Sequence, residues 1–167
     1  MSKNRAKKIL EWILFLGYIA LLVYFMFFAE SLGRTGTVSS NHGYRYNLEP
    51  LKEIKRFINH VDALGVWPVF LNIGGNILAF VPFGYFLPSL STHKLKFFQV
   101  FLLSFELSIG IELVQLLSKV GSFDVDDLLL NTTGAVLGFI IWSAVHIYAD
   151  LKIRERTVMI REIKLEE

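Results

Sequence analysis

Long apolar runs separated by short polar breaks set the pattern of this chain. They extend from Leu10 to Phe28, Val66 to Leu90, Phe97 to Leu117 and Leu128 to Ala149. As helices, all four are long enough to cross about 30 Å of hydrocarbon, which takes roughly 20 residues. The pattern predicts an all-α membrane protein, a four-transmembrane-helix bundle with spans 10–28, 66–90, 97–117 and 128–149. Residues 1–9 form a basic lead, 29–65 a long loop, 118–127 an acidic turn and 150–167 a tail. Lys3, Arg5, Lys7 and Lys8 ahead of the first run look like the start of a signal peptide. The run is too long for that and lacks a small-x-small cleavage site, so it reads as an uncleaved span.

The long loop changes character halfway. Its first part, SLGRTGTVSSNHGYRYN, is rich in Gly, Ser, Thr and Asn and reads as irregular. Beyond it, Leu51, Ile54, Ile58 and Val61 recur at helical spacing with Lys52, Lys55 and Arg56 between them. Pro50 suits a first helical turn. The spacing predicts an amphipathic helix over about 50–64, lying in the outer membrane interface with its cations toward headgroups; the alternative is a short soluble cap over the bundle. The tail beyond Asp150, LKIRERTVMIREIKLEE, mixes charges with some strand-like alternation and reads as a solvated extension.

Composition sharpens the membrane reading. The chain is 53% hydrophobic with a mean hydropathy of +0.49, above the roughly 45–50% apolar content of soluble domains. Apart from Glu11, Glu106 and Glu112, its charges sit outside the apolar runs. A net charge of +2 is no nucleic-acid footprint, and with no cysteine there is no disulfide, thiolate metal site or Cys nucleophile. Most of the basic residues fall in the N-terminal lead, in the connection holding Lys94 and Lys96, and in the tail (Lys152, Arg154, Arg156, Arg161, Lys164). Weighting short flanks by the positive-inside rule puts both termini in the cytoplasm and the 1–2 loop outside.

Polar side chains within the spans carry the candidate chemistry, because ionisable and amide groups are costly in hydrocarbon. Asn72 and Asn76 share a face of the second span, near Gly74 and Gly75, with Pro82 and Pro88 further along. Ser108, Glu112 and Gln115 form one stripe on the third. Asp127, Asn131, Gly134 and Gly138 form one on the fourth, where Gly134-x-x-x-Gly138 permits close packing. With alternating span directions, these stripes land in the outer half, near Asp124 and Asp126 of the GSFDVDD turn. They predict one polar, acidic cluster.

Plainer roles compete for each residue. Asn72, Asn76, Gln115 and Asn131 serve equally as interhelical glue, worth about 0.6 kcal/mol per contact. Asp124, Asp126 or Asp127 suits the cap of the fourth helix. Glu112 has no such explanation. Glu106 lies deeper on another face and is expected either to pair with a group on the first span or to stay protonated.

The ordered motifs NLEPLKEI, NIGGNILAFVPFGYFLP, SIGIELVQLL and FDVDDLLLNTTGAVLG resemble the VanZ family of small bacterial membrane proteins, over about residues 47–145. The resemblance maps the family's recurring positions onto Asn47, Pro50, Asn76, Phe80, Pro82, Gly84, Glu112, Gln115, Asp124, Asp127, Asn131 and Gly134. Leu51 stands where a Phe is often seen, and Gly121-Ser122 where many members carry an Arg. The resemblance implies a multi-pass protein of the bacterial cytoplasmic membrane with reduced susceptibility to teicoplanin and other lipid-tailed glycopeptides.

The first functional expectation is non-enzymatic. An outer-leaflet pocket roofed by the loop helix binds an amphiphile, a lipid-tailed antibiotic or a cell-wall lipid precursor, using Asn72, Asn76, Pro82, Glu112, Gln115, Asp124, Asp127 and Asn131. No cofactor or resident metal is expected; membrane lipids are partners, and an oligomer is compatible. The second is a membrane enzyme on a lipid or cell-envelope substrate, with Glu112 and Asp127 as candidate catalytic carboxylates with or without a divalent cation. No H-E-x-x-H, G-x-S-x-G or D-D-x-x-D motif supports it. The third is a structural partner or small carrier subunit, for which no inverted repeat is visible.

Overall fold

The computed structural model describes residues 3–28, 44–91 and 95–166. The elements are α1 (Lys3–Phe28), β1 (Tyr46–Asn47), α2 (Lys52–Asn59), α3 (Val61–Leu64), α4 (Val66–Leu90), α5 (Phe97–Ser118), β2 (Phe123–Asp124) and α6 (Val125–Glu166). Helices α1, α4, α5 and α6 are each long and apolar enough to cross a membrane. The first part of the 1–2 loop, expected to be irregular, lies mostly outside the described residues.

The helices pack by two different means. Along the α4–α6 seam, backbone meets backbone: a β-carbon on Gly134 would fall on the Ile77 carbonyl, one on Gly138 on the Val81 carbonyl, and one on Gly84 on the Ala135 carbonyl. Asn76 against Asp127, Ile77 against Gly134 and Val81 against Gly138 run in the same order on both helices, so α4 and α6 are parallel. Phe80 and Ala135 are fully buried beside the seam. Helix α1 joins through Phe15 against Phe83 and Phe86 and through the Tyr18 hydroxyl, which donates to the Ala79 carbonyl at 2.7 Å. Helix α5 runs antiparallel to α6, with Phe97 against Phe139 at one end and Ser108 against Asn131 further along.

Three local features differ from the expected pattern. The amphipathic segment is two helices, α2 and α3, separated at His60, and Gly65 at φ 83° turns the chain into α4. Pro50 lies ahead of α2, and Leu51 holds its N-cap position with a left-handed φ of 65°. The tail is exposed over 151–163 and continues the fourth span as helix. Helix α6 runs 42 residues to Glu166, because no Gly or Pro follows Gly138 to end it and the tail is rich in the helix formers Arg, Lys, Glu and Leu. Finally, β1 pairs in parallel with β2, Tyr46 with Phe123 and Asn47 with Asp124. That two-residue ladder clips the start of the loop helix to the α5–α6 turn.

Candidate functional site: a buried acidic network beneath the loop helix

Each part of the network begins with a backbone group needing a partner. Helix α6 starts at Val125, and Asp124 caps it: its Oδ1 accepts the Asp126 N–H at 2.9 Å. The same oxygen accepts from Asn47 Nδ2 at 3.1 Å, which joins the β1 side of the ladder to the cap. The Asp124 N–H donates to Glu112 Oε2 at 2.8 Å, so the α5 carboxylate holds the turn from below. Glu112 is 1% exposed.

Asp126 reaches the other way. Leu51 is no capping residue, so α2 begins with orphan N–H groups and no side chain of its own to take them. The Asp126 carboxylate takes three, from Leu51, from Glu53 at 2.8 Å and from Ile54 at 3.1 Å. In the sequence Asp126 reads as part of the acidic cluster or as a cap for the fourth span; Asp124 fills that cap, and Asp126 caps the loop helix. The readable signal was a helix start lacking Ser, Thr, Asp or Asn at its cap position.

One turn deeper, Asn76 of α4 donates to the Asp127 carboxylate, and Asn131 Nδ2 of α6 donates to Ser108 Oγ of α5 at 2.9 Å. Gln115 Nε2 donates to the Met26 carbonyl at 2.7 Å, tying α5 to the end of α1. Asn72 Nδ2 donates to the Pro68 carbonyl of its own helix. Pro82 is half-buried inside α4, roughly 9 Å along the axis from Asn76 at 1.5 Å per residue. Asn47, Asn76, Glu112, Asp124, Asp127 and Asn131 thus meet at one end of the bundle, with Pro82 set apart. Glu106 is exposed on the outer surface of α5 and makes no hydrogen bond or ion pair among the described residues.

The chain around α2 supplies the opposite charge. Lys55 and Arg56 are exposed, Arg56 pairs with Glu53, and Lys119 lies 5.5 Å from the Tyr44 ring centroid. Burial pushes the Glu53 carboxyl above its ordinary range; Arg56 opposes the shift, while Asp124 and Asp126 reinforce it. Tyr44, Tyr46, Trp67 and Phe70 are all largely exposed at this end, as side chains that favour a membrane–water boundary. Among the described residues, no three His, Cys, Asp or Glu side chains are placed to hold a metal ion. A groove of about 730 Å³ follows α1 along Ile13, Leu14, Gly17, Tyr18, Leu21 and Tyr24, away from the carboxylates.

The VanZ/LLP1 family model matches residues 15–146. The chain belongs to that family. The match takes in α1 from Phe15, all of α4 and α5, the ladder and every residue of the acidic network, and it stops short of the charged end of α6. This VanZ-family protein is therefore a multi-pass membrane protein. No curated protein and no solved structure matches the chain at a significant level.

Proposed function

We propose that this VanZ-family protein binds an amphiphile at the outer face of the bacterial cytoplasmic membrane and thereby lowers susceptibility to teicoplanin-type lipid-tailed glycopeptides. In this reading both termini are cytoplasmic, α2 and α3 lie in the outer interface, and the acidic network forms a floor beneath them. The observation that carries it is the grip of Asp126 on the first turn of α2, which joins an amphipathic, cationic roof to buried carboxylates. The ligand's tail packs against the exposed aromatic and aliphatic side chains around Trp67 and Ile58. Its polar head meets Lys55 and Lys119 first, and reaches Glu112, Asp127, Asn76 and Asn131 when α2 lifts.

The decisive experiment replaces Glu112 by Gln and Asp127 by Asn in cells expressing the protein, and measures teicoplanin susceptibility beside the amount of folded protein in the membrane. Loss of protection with normal folded protein supports the proposal. Wild-type protection in both variants removes it. Incubation of the purified protein with a lipid extract, with and without Mg²⁺, separates binding from catalysis: metal-dependent turnover of a lipid would replace the binding reading with the enzymatic one.

A further inference from the structure

Glu106 poses a problem that the acidic network does not solve. It sits near the midpoint of the 22-residue α5, exposed and without a partner among the described residues. In a membrane that position faces hydrocarbon, where an ionisable group costs several kcal/mol and persists only when something covers it.

The residues around it say what. Gln99, Leu103, Glu106, Gly110, Leu113 and Leu117 follow one another at alternating steps of four and three, the a/d pattern of a coiled-coil seam. All six are exposed. The stripe lies opposite the Ser104, Ser108, Glu112 and Gln115 face that packs into the bundle; Gln99 at its start takes the Lys96 N–H at 2.9 Å in the cap of α5, and the other five residues stay exposed. At Gly110 a β-carbon would meet nothing within 4 Å, which leaves room for a second backbone to approach one turn from Glu106.

We infer that this stripe is the contact between two copies of the chain, with α5 packed on its counterpart about a two-fold axis normal to the membrane. Such an axis brings each residue opposite its own twin at equal depth. The leucines then face leucines, and the two Glu106 side chains meet as a hydrogen-bonding pair across the seam. A single polar pair within an apolar seam fixes register and copy number. A foreign helix would have to bring its own acid or cation to the same depth, whereas the second copy carries the complement already.

The natural absence of cysteine makes the test direct. The full-length protein is reconstituted in liposomes at low protein-to-lipid ratio as the Leu113→Cys and Leu117→Cys variants, with Leu78→Cys on α4 and Leu137→Cys on α6 as exposed controls. Mild oxidation is expected to yield a disulfide-linked dimer from the α5 variants and little from the controls. Adding Glu106→Leu to Leu113→Cys weakens association about tenfold, while Glu106→Gln, which still hydrogen-bonds across the seam, stays within about threefold of wild type. Because the position is exposed, neither change disturbs the monomer's packing. Equal cross-linking at all four positions, or a dimer unchanged by Glu106→Leu, overturns the inference.

Discussion

The α4–α6 seam and the α2 end of the bundle are both specific, but by opposite physics. In the seam, Gly84, Gly134 and Gly138 give up side chains so that carbonyls of the facing helix can occupy their place. At the α2 end, Glu112, Asp124 and Asp126 do the reverse, placing carboxyl oxygens in the interior to take backbone N–H groups. The seam is steric and leaves no alternative arrangement. The network is polar, and each of its bonds has an aqueous competitor. The seam is therefore expected to set the stability of the fold, and the network to set whether the loop helix stays docked.

Substitutions in the seam break this comparison most forcefully. Gly134→Val drives a branched side chain into the Ile77 backbone, and neither helix can yield without losing Gly84 and Gly138 contacts as well. The expected cost is about 2–3 kcal/mol, or roughly 5–10 °C in midpoint for a chain of this size, read by thermal unfolding in detergent. Gly75→Ala is the control, because a β-carbon there meets nothing within 4 Å. It is expected to be neutral or slightly stabilising through helix propensity. Equal losses for both would mean that the seam is no more constrained than the rest of α4.

The network should respond locally instead. Asp126→Ala leaves the N–H groups of Leu51, Glu53 and Ile54 without their acceptor, at a cost of about 1–2 kcal/mol. Amide exchange over residues 51–59 is expected to rise roughly tenfold, while amides in α4 and α6 stay protected. A global loss of protection would show that the end of the bundle and the seam are one cooperative unit. The deeper Ser108–Asn131 bond is a smaller matter. A double-mutant cycle with Ser108→Ala and Asn131→Leu should return a coupling near 0.6 kcal/mol, as for other interhelical hydrogen bonds in membranes.

How much of this was legible follows from the same contrast. The four spans and the Gly134-x-x-x-Gly138 stripe are written in local sequence, since run length and residue size act where they stand. The joining of Glu112, Asp127, Asn76 and Asn131 at one end was readable from helical spacing and alternating span direction. The ladder between Tyr46–Asn47 and Phe123–Asp124 was not, because a two-residue parallel pairing across a separation of more than 70 residues leaves no periodicity. The destination of the Asp126 carboxylate was hidden for a related reason. A capping box is a local motif, but here cap and helix come from distant parts of the chain. The tail reads as a solvated extension and is exposed over 151–163; that it continues α6 follows from the absence of any residue that stops a helix, which the alternation in RERTVMIRE obscures.

The smallest expected effect tests whether the network's field reaches the roof. Burial raises the Glu53 carboxyl, with Asp124 and Asp126 adding to the shift and Arg56 opposing it. An acid whose value is higher in the folded than in the unfolded state binds its proton more tightly when folded. The resulting stabilisation is complete below the unfolded value and is lost as pH rises through the folded one. Docking of α2 should therefore weaken slightly as pH climbs through the range just above that of an ordinary glutamate, measured by amide exchange over 51–59. Glu53→Gln should flatten that slope without disturbing the backbone bond from residue 53 to Asp126, which the substitution leaves in place. Asp124→Asn should reduce the slope by less, since it removes one of two nearby like charges. A slope that persists in Glu53→Gln would place the titrating group elsewhere in the network, and the roof would then be coupled to its floor through a different carboxylate.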